Sequence, residues 1–277
     1  MISPRTLDTL MSSSSSSSTG DRPIDFTDCI LPGAALPVPH ARYASPLMVP
    51  QREHPLLIHM EGSDATGLTT IIKGVAEYNA RCPRFRAKTV LEPLHDIVCS
   101  PVGDMRSRQT LSLHETLATQ VVCMAGYFAQ RRSLLNLQGV DVIIQERSIA
   151  SLRHVYHAHM SAKGELDPME SLALSALHDS MKPALRVPDL IIHVSSPLED
   201  RLRRLESRNM HRDVLIDRNL LIQIDRHYEN YLHACMASDN GPLVVRMMND
   251  DDSQTATTEA FQYILETAFH GLATTHN

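Results

Sequence analysis

The stretch Leu56–Thr70, LLIHMEGSDATGLTT, determines how the rest of the chain is interpreted. Its first three residues form a short apolar run that is typical of a buried strand. The run ends at Glu61, and the apolar spacing from Thr69 onward predicts a helix. Between the two, Gly62, Gly67 and Thr69 have the spacing of the phosphate-binding loop G-x-x-x-x-G-K-[ST]. We therefore predict that this loop binds phosphate groups.

Position 68 departs from the motif. It holds Leu68, whereas the motif places there a lysine that reaches the β- and γ-phosphates. Backbone N–H groups of the loop and the N-terminus of the following helix still favour an anion. The predicted nucleotide contacts in the loop are Gly62, Ser63, Asp64, Ala65, Thr66, Gly67, Leu68, Thr69 and Thr70.

Composition limits the class of protein. The 277 residues suffice for one α/β domain, and a net charge of -6 gives no general attraction for nucleic acid. The five cysteines are scattered without a C-x-x-C pair, which argues against a disulfide framework or a zinc site. No apolar run approaches the roughly 18–20 residues that span a membrane. We expect a cytoplasmic protein without a nucleic-acid or membrane partner, and leave a mitochondrial or nuclear location open.

The first 53 residues differ in composition from the remainder. Residues Ser12–Ser18 are all serine, and six prolines fall between Pro23 and Pro50. Such a segment buries too little apolar surface to offset the entropy of ordering, so we predict a disordered tail over residues 1–53. A transit peptide is the alternative, but repeated arginines are lacking and acidic residues occur from Asp8 onward. A single domain is predicted over residues 54–277.

Strand-like runs alternate with helical patterns throughout this domain. The predicted strands are Leu56–Met60, Lys88–Leu91, Val140–Gln145, Leu190–Val194 and Leu243–Met247. The predicted helices are Thr69–Ala80, Leu111–Leu137, Ile149–Ser161, Met169–Met181, Leu198–Glu206, Leu220–Ala234 and Thr257–Phe269. This order predicts a parallel five-stranded sheet flanked by helices, as in P-loop NTPases. The polar segment Asn209–Asp217 is predicted to be a lid over the nucleotide.

Three glutamates, Glu61, Glu92 and Glu146, each stand at the end of a predicted strand. The carboxyl ends of parallel strands meet at one edge of a sheet, and ligands bind there. We therefore expect these three carboxylates to converge on the mouth of the phosphate loop.

Four features together resemble the deoxynucleoside kinase family: Glu61-Gly62 with the loop, Glu92-Pro93, Glu146-Arg147-Ser148, and an arginine-bearing segment before the polar loop. The family includes deoxycytidine, deoxyguanosine and insect-type multisubstrate kinases and, more distantly, herpesvirus thymidine kinases. The resemblance extends over roughly Leu56 to Leu232, and E-R-S-I-x-S-x-R at Glu146–Arg153 is its most specific part. It implies transfer of the γ-phosphate of ATP to the 5′-hydroxyl of a deoxynucleoside in nucleotide salvage, with Mg²⁺ as cofactor and usually a homodimer.

The resemblance also assigns catalytic and metal-binding roles. Glu92 matches the proposed catalytic base, and Arg147 matches the arginine beside the reacting phosphate. Glu146 matches a carboxylate near magnesium, and Thr69 matches the loop hydroxyl that ligates the ion. Structural alternatives are a solvated Glu92, a salt bridge from Arg147 to a glutamate, and a helix N-cap at Thr69.

Three residues match the family's base pocket. Gln120 takes the place of a glutamine that pairs with the base, and Tyr156 that of an aromatic ring that stacks on it. Leu152 occupies the position where relatives discriminate between bases, and its bulk favours a pyrimidine such as thymidine. The alternatives are a surface glutamine and a core tyrosine. The tryptophan usual after E-P is missing, since the chain contains 0 tryptophans.

Arginines that clamp ATP phosphates in the family are partly retained. Arg204 and Arg208 match two of them and share a helical face, while Glu206 and Met210 stand where others would lie. Arg212, within the predicted lid, is a third candidate. Solvated arginines on a helix face are the alternative.

Two hypotheses about activity follow. The first is an active kinase in which Lys73, one turn beyond Thr69, brings a charge to the phosphates in place of residue 68. The second is a catalytically impaired relative retained as a nucleotide-binding or protein-interaction module. Loss of a charged group such as the motif's lysine typically costs on the order of 10²–10³ in rate, and Ala65 replaces another expected glycine.

A nucleoside monophosphate kinase shares the fold but fits the motifs less well. The altered motifs, together with the serine tract, fit a viral copy.

Overall fold

The computed structural model describes residues 54–81, 86–93, 113–135, 137–208 and 216–250. Four predicted features lie wholly or mostly outside these ranges: the tail over residues 1–53, most of the lid over residues 209–217, Arg212, and the helix Thr257–Phe269.

The five predicted strands are all present, close to their predicted bounds. They are β1 Leu56–Glu61, β2 Ala87–Val90, β3 Val142–Glu146, β4 Leu190–Ser195 and β5 Leu243–Met248. All of their pairings are parallel, in the order β2-β3-β1-β4-β5. The predicted parallel five-stranded sheet is therefore confirmed, with β1 at its centre.

Six helices connect these strands within the described residues. They are α1 Leu68–Arg81, α2 Leu113–Leu135, α3 over residues 149–162, α4 Pro168–Met181, α5 Leu198–Arg208 and α6 Arg218–Met236. Helix α3 contains a π-helical segment, Leu152–His157, between two α-helical pieces. Such segments are frequent at functional sites, and this one carries both Leu152 and Tyr156.

Side-chain caps set the first residues of three helices. Asp167 accepts a hydrogen bond from the Glu170 N–H and Pro168 follows it, which starts α4 one residue before the predicted Met169. Asp217 caps α6 in the same way. Ser148 and Ser151 bond each other's backbone N–H groups at the start of α3. These local contacts start the three helices within two residues of the predicted positions.

The sheet is covered by helices on both faces, because alternate residues of each strand point to opposite sides. On one face Leu56, Ile58 and Met60 pack with Ile71 and Ile72 of α1. On the other face Leu57 packs with Leu134 of α2, and Ile191 of β4 packs with Tyr228 of α6. Within the described ranges, none of the helices combines the length and hydropathy that crossing a membrane requires.

Candidate functional site

The loop between β1 and α1 has two residues in the left-handed region. Gly67 has a φ of 91° and Ala65 a φ of 61°. Glycine adopts such angles freely, whereas for alanine they cost roughly 1–2 kcal/mol, which is why a glycine is expected at position 65. Gly62 is required for a different reason: a Cβ there would lie 2.5 Å from the backbone oxygen of Val194 in β4. Close packing of strand against loop leaves no room for a side chain at Gly62.

Leu68, at the position of the motif's lysine, belongs to the hydrophobic core. Its side chain is 4% exposed and lies in the cluster formed by α1 and the sheet, together with Ile72 and Val194. The Leu68 side chain therefore makes an apolar contact within the core. Lys73, one turn further along α1, is exposed.

Thr69 and Glu146 lie in direct contact at the carboxyl edge of the sheet. The Thr69 hydroxyl donates to Glu146 Oε1 over 2.5 Å, and Glu146 Oε2 accepts from the Glu92 backbone N–H over 3.1 Å. Helix α1 begins at Leu68, so Thr69 lies inside its first turn and the N-cap alternative is wrong. A hydroxyl and a carboxylate suit Mg²⁺, which takes few protein oxygens and completes its shell with phosphates and water. No group of three or more His, Cys, Asp and Glu side chains that could hold a metal ion occurs in the described ranges.

Arg147 connects the predicted base with the phosphate loop. Its Nη1 lies 3.0 Å from Glu92 Oε2, its Nη2 3.0 Å from Asp64 Oδ1, and its Nε donates to the Gly62 carbonyl over 3.2 Å. Its backbone φ of 55° is strained, a condition that clusters at functional sites. Burial lowers the pKa of Arg147, but the charges of Glu92 and Asp64 outweigh burial and raise the pKa above its ordinary value. The guanidinium therefore stays charged, and a salt bridge from Arg147 to a glutamate, the structural alternative, is present with Glu92.

Tyr127 is a further contact of Glu92 that sequence reasoning missed. Its hydroxyl donates to Glu92 Oε1 over 2.6 Å, and its side chain is buried. Burial, followed by the charge of Glu92, raises the pKa of Tyr127 well above its ordinary value, so the hydroxyl remains a donor. A signal was available in the sequence, because Tyr127 follows Gln120 by about two helical turns and shares its helix face.

The predicted base-pocket residues lie on α2 and α3. Gln120 is 1% exposed, which makes the surface-glutamine alternative wrong, and its Oε1 lies 3.1 Å from His157 Nε2. Burial lowers the pKa of His157 to about 4, so the neutral ring donates to Gln120. Leu152 is buried in the cluster that contains Tyr127. Tyr156 is half-buried, and the Arg147 guanidinium lies 5.4 Å from its ring centroid.

Glu61 ends the central strand but is turned into the protein. Its side chain is 0% exposed, and neither carboxylate oxygen has a hydrogen-bond partner among the described residues. Burial raises the pKa of Glu61 to about 7, although the nearby hydroxyls of Ser148 and Ser151 and the charge of Arg147 oppose the increase. Of the three strand-end glutamates, Glu92 and Glu146 are thus joined at the mouth of the loop, while Glu61 lies beneath it.

Helix α5 contacts the phosphate loop through two arginines. Arg204 donates from Nη1 to the Ala65 carbonyl over 3.2 Å and to Ser196 Oγ over 2.9 Å. Arg201, which sequence reasoning missed, donates from Nε to the Asp64 carbonyl over 3.2 Å. Arg208 ends α5, and its side chain lies outside the described part of the chain.

Two other loop contacts come from residues distant in sequence. Asp225 of α6 accepts from Ser63 Oγ over 2.7 Å and from Arg201 Nη1 over 2.6 Å. Asn249, directly after β5, donates to the Thr66 carbonyl over 2.7 Å. Sequence reasoning missed both residues. Only Asn249 carried a signal, since it follows a strand at the edge where ligands of parallel sheets bind.

Comparisons with known proteins bear on the family and the fold of this chain. The sequence profile of the deoxynucleoside kinase family (dNK) matches residues 114–267, more than half of the chain. No curated protein matches the sequence of this chain. A solved structure of deoxyadenosine kinase from M. mycoides, with the products dCMP and a flexible dCDP bound, aligns with a TM-score of 0.59 at 14% identity, covering 76% of this chain and 100% of that one. At this identity the likeness concerns the fold, which is that of the P-loop NTPase-like kinases. The profile match shows that this chain belongs to the deoxynucleoside kinase family.

Proposed function

We propose that the protein is an active kinase that transfers the γ-phosphate of ATP to the 5′-hydroxyl of a deoxynucleoside. The observation that carries the proposal is the position of Arg147. One guanidinium contacts Glu92, the proposed base, and Asp64 of the phosphate loop, each over 3.0 Å. The transferred group passes between base and loop, and phosphoryl transfer depends on positioning and on neutralising charge there.

Each side chain around Arg147 has a proposed task. Glu92 accepts the proton of the sugar hydroxyl, and Tyr127 holds its carboxylate through the other oxygen. Arg147 stabilises negative charge on the group in transfer. Thr69 and Glu146 would hold Mg²⁺, which neutralises phosphate charge when bound.

Two further sets of residues complete the proposed site. The backbone of residues 62–70 binds the phosphates of ATP, with Arg204, Arg208 and Arg212 as additional phosphate contacts. Gln120 pairs with the base and Tyr156 stacks on it. Leu152 fills the space beside the base, which supports a pyrimidine, thymidine included, as the preferred substrate.

The test is product formation from four deoxynucleosides supplied separately with labelled ATP and Mg²⁺. We expect a monophosphate from the wild type, and a loss on the order of 10²–10⁴-fold in Glu92→Gln, because that variant lacks the base. Glu165→Gln is the matched control, since Glu165 lies in a turn and its side chain is 47% exposed. Absence of product from the wild type, with ATP binding intact, would contradict the proposal.

A catalytically impaired kinase homologue is the second candidate. It is favoured by the burial of Leu68 in the core, which leaves the loop without the motif's cation, and by the strained Ala65. Lys73→Met discriminates between the candidates, with the exposed Lys88 of β2 changed to Met as control. If Lys73 supplies the missing charge, its variant loses ATP affinity by tenfold or more while the control does not. Unchanged affinity would dismiss Lys73 from this role.

Assembly and location are proposed from separate features. We propose a homodimer formed through α2, where Val121 and Val122 are 38% and 37% exposed. Light scattering should give twice the chain mass, and Val122→Asp should give monomers.

The scattered cysteines support a reducing compartment, for which we propose the cytoplasm.

A further inference from the structure

Six consecutive carbonyl oxygens of the phosphate loop each accept a hydrogen bond. The donors are Arg147 Nε to Gly62 (3.2 Å), Thr66 Oγ1 to Ser63 (2.9 Å), Arg201 Nε to Asp64 (3.2 Å), Arg204 Nη1 to Ala65 (3.2 Å), Asn249 Nδ2 to Thr66 (2.7 Å) and the Ile71 N–H to Gly67 (3.0 Å). The last is the ordinary first bond of α1. The others are side-chain contacts, and four of them come from outside the loop.

Fixing a carbonyl also fixes the next N–H group. In a planar trans peptide the C=O of one residue and the N–H of the next point in opposite directions. The donors that hold the carbonyls of residues 62–67 therefore turn the following N–H groups, those of residues 63–68, each away from its neighbouring donor. Successive N–H groups directed to one side form an anion-binding nest. The left-handed φ values of Ala65 and Gly67 belong to such a conformation.

We propose that Arg201, Arg204 and Asn249 are positioning residues that hold this loop in its phosphate-binding conformation. The proposal rests on the proposed function, since phosphate is taken to be the ligand of the loop. A loop already held in its bound conformation loses less conformational entropy on binding. This preorganisation offsets part of the affinity that is lost because the apolar Leu68 side chain brings no charge to the phosphates.

The burial of Arg201 and its ion pair with Asp225 support a positioning role. Arg201 is 2% exposed, and its partner Asp225 also accepts from Ser63 Oγ. The Arg201 side chain is buried while that of Asp225 is 44% exposed, and through their contacts with Asp64 and Ser63 the pair ties α5 and α6 to the loop. Arg204 contacts the Ala65 carbonyl and Ser196 Oγ, and its contact with the phosphates of ATP stays a prediction.

The experiment uses two variants that each remove one donor. Arg204→Gln removes the contact with the Ala65 carbonyl, and Asn249→Leu removes the contact with the Thr66 carbonyl without changing charge. Arg203→Gln is the matched control for charge, because Arg203 is on the same helix with its side chain 61% exposed, beside Asp200. Asn230→Leu, at an exposed position of α6, is the control for the asparagine.

Two quantities are measured on the full chain. The first is the dissociation constant for Mg-ATP and for tripolyphosphate, and the second is the hydrogen exchange of the amides of residues 63–68 without added nucleotide. We expect each loop variant to bind both ligands about tenfold more weakly, which corresponds to ~1.4 kcal/mol. Exchange should accelerate in the loop alone, with the core strands and Tm unchanged, and both controls should behave as wild type.

Three results would overturn the positioning role: loop exchange and affinity unchanged in both variants, an equal loss of affinity in Arg203→Gln, or a wild type that binds neither ligand. If Arg204→Gln fails to fold, Asn249→Leu decides by the same measurements. The outcome is separable from the proposed function. A wild type that binds ATP but phosphorylates no deoxynucleoside refutes the kinase activity and leaves the positioning role in place.

Discussion

Arg147 Nη1 and Glu92 Oε2 form an ion pair over 3.0 Å, with only 12% and 16% of the two side chains exposed. Coulomb attraction is stronger for a sheltered pair than for a surface pair, which water and salt screen. The same guanidinium lies 3.0 Å from Asp64 of the loop. The Arg147 guanidinium therefore contacts both the proposed base, Glu92, and Asp64 of the phosphate loop. A substitution of either carboxylate is expected to change the environment of the other through Arg147.

Tyr127→Phe should lower kcat about tenfold while leaving KM for ATP unchanged. The variant removes one hydrogen bond to Glu92, and a bond to a charged group contributes roughly 1.5–3 kcal/mol. Steady-state kinetics with ATP and the accepted deoxynucleoside measures both constants. Tyr231→Phe is the control, because Tyr231 is a buried tyrosine of α6 that stacks on His154. A rise in KM for ATP with an unchanged kcat would contradict the assignment of Tyr127 to Glu92.

Thr69→Val should raise the Mg²⁺ concentration needed for half-maximal activity by roughly tenfold, whereas Thr69→Ser should not. Valine keeps the shape of threonine but removes the hydroxyl that contacts Glu146. Serine retains that hydroxyl. The measurement is a titration of activity with Mg²⁺ at saturating ATP. Equal behaviour of the two variants would show that the hydroxyl takes no part in holding the ion.

Gly62→Ala should destabilise the protein by about 3 kcal/mol, and Gly164→Ala by about 1 kcal/mol. An alanine Cβ at position 62 would lie 2.5 Å from the Val194 oxygen, and backbone atoms of a central strand do not move aside. Gly164 has a φ of 71° but no atom within 4 Å of the added Cβ, so only backbone strain applies there. Urea unfolding compares the two free energies. A smaller effect at Gly62 than at Gly164 would contradict the close packing of loop and strand.

Glu61 should make the protein less stable as pH rises from about 4.5 to about 7. Burial raises the pKa of folded Glu61 from 4.5 to about 7, so over this window the folded state keeps a proton that the unfolded state has released. The loss is complete above about pH 7, where both states are ionised, and it amounts to about 3 kcal/mol. We expect the free energy of unfolding of Glu61→Gln, minus that of the wild type, to increase by this amount between pH 4 and pH 8. Urea unfolding at each pH measures both free energies. A constant difference between the two proteins across that range would show that Glu61 does not titrate as stated.

Local patterns in the sequence were sufficient for most of the fold. The strands and helices follow from apolar periodicity, and caps such as Asp167 and Asp217 are encoded within a few residues of the helices that they start. The glycine expected at position 65 is a local property too, because the left-handed φ of Ala65 is one that glycine adopts freely. The site was predictable where it follows strand ends, as with Glu92 and Glu146.

Contacts between distant segments were not predictable in this way. The residue type of Gln120 does not decide between a surface and a buried position. The packing of α2 against α3 buries its side chain beside His157. Arg201 and Asn249 reach the loop from 137 and 183 residues away. Such contacts depend on the register of strands and the rotation of helices, which short-range spacing does not encode.

By itself the sequence determined the order of the elements, the place of the phosphate loop and the absence of its lysine. Those properties depend on residue types and on distances of a few positions along the chain. The tertiary structure decided that Leu68 faces the core, that Arg204 holds the Ala65 carbonyl and that Tyr127 bonds Glu92. The physical reason is that a side chain's partner is set by which surfaces the folded helices and strands bring within hydrogen-bond distance.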